Sequence, residues 1–437
     1  MPIDLHPNCR ARLVELVGAA LPHLRVHNGK FLLRSAGKGR ELLYRADEAL
    51  PQKGPVYDSL LSYIDEQPLS EFIHDKLTDE LRDAEYSEIE GQALCEIDGF
   101  SDAAAVATRL IEEFVALPQE YRLTFPLPYD LWPALPPSKS RRDLGPRVRT
   151  VRTNPELVNE LPLVPNQERT PLVNGLLGLL SSDYGGEWKE NAVHLQVDVQ
   201  GFIGGYGGSS PDAEAQRTLR AFYGLGLALR LFDRSTKYSM ATPRWSYFVH
   251  RTTSEATYEP RRRLELDENL SRAMERLGMH TLGGWVNSPE RQASWSEGIL
   301  GQMASVFSMG VKSESILLAS QWYFDSVTGP DYLLQYVQAM VVLEILLGDK
   351  AATKDISLNE LLRNRCAYLI GSSQEERAEL HKRFTEIYDV RSQIVHRGKH
   401  RLSGKEQWML SQLRSICRRV IQKEVSLLVA NRVPGAV

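Results

Sequence analysis

Cysteine is scarce in this chain and falls into no pattern. Cys9, Cys95, Cys366 and Cys417 are the whole complement in 437 residues, with no C-x2-C pair and no histidine at ligand spacing. That excludes a disulfide framework and argues against a structural zinc site, so a reducing cytoplasm fits best. Long apolar runs are missing too: no uninterrupted stretch reaches the roughly 18 residues a spanning helix needs. The opening Met1-Pro2-Ile3-Asp4-Leu5 lacks a basic start and a hydrophobic signal region. Neither secretion nor a membrane partner is therefore expected, and the expected location is cytoplasmic. Neither G-x-G-x-x-G nor G-x4-G-K-[ST] occurs, so the familiar phosphate loops are absent. No cofactor and no metal site is expected.

What is present is an ordinary globular composition, 42% hydrophobic and 25% charged, in a chain long enough for two or three domains. Residues 1–137 mix helix-like segments such as Ala103 to Leu117 with short strand candidates such as Lys30 to Leu33. Pro126, Pro128, Pro133, Pro136 and Pro137, followed by Lys139, Arg141 and Arg142, suggest a linker or long loop. Its basic continuation, Arg147, Arg149 and Arg152, is read as a solvated linker or a nucleic-acid contact.

Residues 138–290 form a second α+β region, a possible sensor. Val193 to Gln200 alternates strictly and predicts a half-buried strand. A glycine-rich loop, Gly201 to Pro211, and a helix from Asp212 to Phe232 follow it. A strand, a glycine loop and a helix can cradle phosphate on exposed amides. Asp212 and Glu214 at the helix start would repel an anion, which favours a plain turn. Arg261-Arg262-Arg263 after Pro260 reads as a solvated turn.

Residues 291–437 read as helices throughout. Ser313 to Val327 is one, and Asp331 to Gly348 another, apolar nearly all round and closed by glycine. Ser357 caps Leu358 to Ile370 with Glu360 at the third position, and Ser373 opens a helix with Glu375 and Glu376 in its first turn. A last helix runs from about Gly404 to Asn431, with Trp408, Leu410, Leu413, Ile416, Val420 and Val425 at helical spacing.

One stretch of this end carries chemistry: Ile387-Tyr388-Asp389-Val390-Arg391-Ser392-Gln393-Ile394-Val395-His396. Cleaving RNA without metal requires a proton taken from the 2′-OH, a proton given to the leaving 5′-oxygen, and stabilisation of charge on phosphorus. Histidine performs either proton transfer near neutral pH, and the planar arginine fork suits the phosphate. Residues five apart on a helix are rotated by roughly 140°, so the pair converges only by a curled side chain, a helix end or a second chain. The alternative is a surface arginine and a histidine favoured by the helix dipole. Glu344, inside an apolar helix, is either a satisfied core carboxylate or a group facing Arg391.

Together, Ala339 to Gly348, Leu361 to Ile370 and Ile387 to His396 resemble the three core helices of the HEPN (higher eukaryotes and prokaryotes nucleotide-binding) family, in particular its ApeA-like branch with the motif R-x4-6-H. The resemblance spans roughly residues 300 to 437. Beside the α+β reading of the N-terminal residues, it implies a multi-domain chain that ends in an all-α HEPN-like helical bundle over 291–437. It also implies a homodimer or higher even oligomer, and a metal-independent ribonuclease in which Arg391 stabilises phosphate and His396 moves protons. Members serve as toxins and as abortive-infection effectors of antiphage defence, so a phage-derived trigger acting through the N-terminal region is expected. Two positions depart from the pattern. Ser392 replaces the polar or charged residue common after the arginine, and Gly398 stands where tyrosine-modified toxins carry tyrosine.

Charge supports a polyanion partner, RNA, with transfer RNA among the candidates. Residues 350–437 hold 17 Lys and Arg against 9 Asp and Glu, a surplus of +8, so with a total of −4 the first 349 residues carry −12. Arg397, Lys399, His400, Arg401 and Lys405 follow the motif and are the expected RNA-holding group. Two other hypotheses stand beside the enzyme. One is a catalytically inactive HEPN dimerisation or nucleotide-binding module, and the other an N-terminal ligand-binding working domain dimerised by the helices.

Overall fold

The computed structural model describes residues 3–27, 31–32, 37–83, 91–134, 140–163, 183–184, 187–204, 208–235, 244–281, 288–348 and 357–430. Chain contacts divide it into two compact units. One comprises Met1–Leu123, Asp198–Ala215 and Val249–Leu264, and the other Thr124–Val197, Gln216–Phe248 and Glu265–Val437. Boundaries expected at 137/138 and 290/291 presume continuous segments, whereas these units are discontinuous. Among the described residues no helix is long and apolar enough to cross a membrane.

The first unit is built from helices over Pro7–Ala20, Lys38–Glu48, Pro55–Tyr63, Pro68–Asp83 and Ala103–Val115. Their apolar faces, carried by Leu13, Val17, Phe72, Leu77, Leu110 and Phe114, close on one core. Phe72 packs edge-on to Phe114 and against Phe202. A buried side chain of this size contributes about 1.5–3 kcal/mol. Asp47 is drawn into that interior to cap Pro68–Asp83, accepting the Leu69 and Ser70 N–H groups at 2.8 and 3.2 Å. Burial pushes its carboxyl up to about 6, against the pull of those two donors.

A sheet occupies the middle of the chain, ordered Tyr258–Glu265, Arg244–Thr252, Gln119–Pro126, Val193–Gly201, Val148–Arg152, Arg141–Asp143. The strands Arg244–Thr252, Gln119–Pro126 and Val193–Gly201 each contribute residues to both units. Val148–Arg152 runs antiparallel to Val193–Gly201, with Val148 opposite Val197 and Arg152 opposite Val193.

Several expectations change here. Val193–Gly201 is not half-buried: His194 and Gln196, on its polar side, are covered as fully as Leu195 and Val197. Thr153 pairs with the His194 ring at 3.3 Å, Trp188 stands edge-on to it, and burial drives its pKa down to about 3. The basic stretch through Arg149 and Arg152 is not a linker but a strand. Arg152 donates to the Asn191 and Trp132 carbonyls, and Arg149 is buried. Arg262 lies on a strand and pairs with buried Asp79, so Arg261-Arg262-Arg263 is no turn. The helix expected over Asp212 to Phe232 is Ser210–Ala228, and Phe232–Arg234 is a strand. Asp212 accepts the Gly208 N–H at 2.8 Å, a position an anion would need. Of the glycine loop, residues 205–207 lie outside the described residues, as do Pro136, Pro137 and Lys139 of the proline-rich stretch and Lys30 and Leu33 of the strand candidate. Pro133 sits in a 3-10 helix, Tyr129–Ala134.

The C-terminal helices follow the sequence closely: Pro289–Ser308, Glu314–Thr328, Tyr332–Leu347, Leu358–Ile370, Gln374–His396 and Gly404–Ala430. Asp331, Ser357 and Ser373 cap three of them through their side chains. Phe324, Tyr336, Met340, Leu343, Phe384, Leu413 and Val420 are buried among them. Polar ties fix the register. Arg414 donates to Gln335 at 2.7 Å, the Cys417 thiol to the Ala339 carbonyl at 3.1 Å, and Arg419 to the Ile370 carbonyl at 2.6 Å. The Tyr332–Leu347 helix is less uniformly buried than its composition suggests: Tyr332 and Leu334 are exposed while Gln335 and Gln338 are covered. A hydrogen-bonded glutamine tolerates burial, and Gln335 uses both ends of its amide.

Candidate active site

The motif helix, Gln374–His396, starts where Ser373 accepts the Glu376 N–H at 3.1 Å, and Glu376 reaches back to the Ser372 N–H at 2.9 Å. Leu380, Phe384, Ile387 and Val390 form its buried stripe. The Tyr336 hydroxyl donates to the Ile387 carbonyl at 3.0 Å, which fixes this helix against Tyr332–Leu347. One turn further on, the Arg391 guanidinium meets the Glu344 carboxylate at 3.5 Å. That resolves the two readings of Glu344: it faces the arginine. The side chains are 21% and 27% exposed, and the guanidinium lies 5.7 Å from the centre of the Tyr388 ring. At that distance the ion pair is weak, and the Arg391 Nε–H has no hydrogen-bond partner. Arg391 is thus oriented, with its Nε–H buried and its side chain 21% exposed.

His396 is the last residue of the helix and is exposed. Beyond it Arg397 leaves the helical region and Gly398 takes a φ of +63°, the left-handed step that lets the Arg397 and Lys399 N–H groups return to the Gln393 carbonyl. Among the described residues His396 has no hydrogen-bond or ion-pair partner, and neither does Ser392, which is half-buried. Arg391 and His396 are therefore not brought together within one chain. Five residues of helix separate them by about 7.5 Å along the axis and roughly 140° around it.

Of the five residues expected to hold RNA, Arg397, His400, Arg401 and Lys405 are exposed. Lys399 is not free. Its ammonium sits between Glu406 Oε1 at 2.6 Å and Gln393 Oε1 at 3.2 Å. Glu406 in turn accepts the Ser403 N–H and hydroxyl at 2.7 and 2.8 Å, and Ser403 Oγ accepts the Glu406 N–H. Burial raises the Glu406 pKa, but the ammonium and the serine donors outweigh it and leave it below the usual range. This capping box is what sequence reasoning missed: Ser403 and Glu406 have the S-x-x-E spacing that signals it. The second omission is Trp408, read as core by its spacing and found 54% exposed.

Among the described residues no three His, Cys, Asp or Glu side chains gather at metal-binding range. No family model, no curated protein and no solved structure matches this chain.

Proposed function

We propose that the C-terminal helical region is a metal-independent endoribonuclease of the HEPN type. The observation that carries this reading is that one helix holds Arg391, oriented by Glu344, and ends on an exposed His396. Arg391 is placed to donate to non-bridging phosphate oxygens as charge grows on phosphorus. A neutral His396 imidazole takes the 2′-OH proton as the 2′-oxygen attacks phosphorus. The P–O5′ bond then breaks, and an imidazolium returns a proton to the 5′-oxygen, leaving a cyclic phosphate and a 5′-hydroxyl.

His396 of one chain supplies one of these roles, so the working unit is a homodimer or higher even oligomer that joins two copies of the motif. By its resemblance, such an enzyme acts as a toxin-like effector of antiphage defence, on cellular RNA or transfer RNA. The preceding 290 residues restrain it until a phage-derived trigger arrives.

Purified full-length protein incubated with total RNA and transfer RNA in EDTA tests this. Fragments ending in cyclic phosphate are expected, with Arg391→Ala or His396→Ala each lowering the rate by about 10²–10⁴-fold. A second reading, an inactive dimerisation or nucleotide-binding module, is favoured by the failure of Arg391 and His396 to meet within one chain. It wins if wild type cuts nothing and overexpression toxicity is the same with His396→Ala.

A further inference from the structure

Trp408 is a large apolar side chain left in solvent on a helix that buries its other side. The Gly404–Ala430 helix buries Met409, Leu410, Leu413, Ile416, Cys417, Val420, Ile421 and Val425. Trp408 points away from all of that, 54% exposed. Trp132, Trp188 and Trp295 each donate their indole N–H to a backbone carbonyl, whereas Trp408 has no such partner among the described residues. A lone exposed aromatic is ordinary on any protein. What distinguishes this one is its neighbours. Lys405, three residues earlier, shares its helix face, and Arg401 precedes the helix in the turn that leads from His396; both cations are exposed and without an ion pair among the described residues.

The turn that carries Arg401 is held in place. Leu402 is buried, Lys399 is clamped between Gln393 and Glu406, and Ser403 and Glu406 cap the helix reciprocally. An indole therefore stands on a helix whose first turn is anchored, with Lys405 three residues before it and Arg401 in the turn that leads in. Single-stranded nucleic acid is the polymer that offers both complements, an exposed π-face on each base and a phosphate on each side of it. In a duplex those faces are hidden in the stack.

We infer that Trp408, with Arg401 and Lys405 before it in the chain, is a stacking platform that selects single-stranded RNA. The identity of the sugar rests on the ribonuclease reading, but the platform itself does not. Trp408 touches no reacting atom and acts by positioning the strand.

The test uses the full chain with His396→Ala, so that binding is read without cleavage. Oligoadenylate is titrated in against the intrinsic fluorescence, beside the same strand annealed to oligouridine. Quenching by the single strand, weaker binding of the duplex, and a loss of roughly tenfold in affinity with Trp408→Ala that Trp408→Phe largely restores are expected. Arg401→Ala and Lys405→Ala should each lower the slope of log affinity against log salt by about 0.7. Equal affinity for strand and duplex, or no change with Trp408→Ala, overturns the proposal. So does a Trp408-dependent association of protein copies with no strand binding, which would make the indole a protein contact. Cleavage by wild type that Trp408→Ala leaves unaltered in KM sinks the platform and spares the ribonuclease. Trp408-dependent strand binding without any cleavage does the reverse.

Discussion

Two basic runs of similar composition have opposite fates. Arg261-Arg262-Arg263 lies on a strand, where Arg262 turns inward to a carboxylate, Asp79, that is itself buried. Arg397, Lys399, His400 and Arg401 follow the end of a helix, where among the described residues only Lys399 finds a side-chain partner and the other three stay in solvent. Strand geometry sends alternate side chains to opposite faces, so a run of three must place at least one on the side opposite its neighbours. A helix terminus followed by a left-handed glycine directs the chain outward instead. Charge counted along a sequence is thus a poor guide to charge available to a ligand.

The sharpest way to break this comparison is to remove one arginine from each run. Arg262→Ala leaves Asp79 buried and unpaired, so a loss of about 3–5 kcal/mol in unfolding free energy is expected. Arg401→Ala should change stability by less than about 0.5 kcal/mol. Urea unfolding of both variants measures the contrast. Replacing Arg262 and Asp79 together by leucine should recover most of the loss, because no orphaned charge remains. Equal stability of the two single variants would remove the distinction between structural and available arginines.

A carboxylate offers the next largest effect, again in the first unit. Asp47 titrates near 6 in the folded protein, against an ordinary value of 3.8. Because the folded pKa is the higher one, the native state holds the proton more tightly. The associated stability is complete below about pH 4 and is lost as pH rises through 6. Two units correspond to about 3 kcal/mol. Asp47→Asn keeps an oxygen to accept the Leu69 and Ser70 N–H groups but cannot ionise, so its stability should not fall across that window. Parallel pH profiles for wild type and variant would show that Asp47 is not the group responsible.

The same contrast explains what could be read in advance. Helical ends of the C-terminal region were legible within a residue or two because their signals are local: Ser357 three residues before Glu360, Ser373 before Glu376, Gly348 after an apolar run. Val193–Gly201 was legible as a strand but its full burial was not, because the burial of His194 and Arg149 depends on strands and side chains far away in the chain, which alternation alone cannot identify. Trp408 was misread for a related reason, since helical spacing tells which residues share a face and not whether another element covers it.

Lys399 and Glu406 provide the smallest and most discriminating test. Their pair is the one place where the exposed basic run uses a cation for structure, and the comparison predicts that it should behave like Arg262 in kind but not in size. Lys399→Ala removes the ammonium from Glu406 and Gln393 while the Ser403 donors remain, so the helix cap survives and the loss should be about 0.5–1 kcal/mol. Glu406 has a lowered pKa, so the contribution is present above its ordinary range and disappears as pH falls through the folded value. A residue committed to a carboxylate does not release counterions from RNA, and Lys399→Ala should therefore leave the salt slope of strand binding unchanged while Arg401→Ala lowers it. Salt titrations of the two variants beside wild type decide the matter. If both substitutions flatten the slope equally, the Lys399 ammonium is engaged by phosphate in the complex, and the pairing with Glu406 belongs only to the free protein.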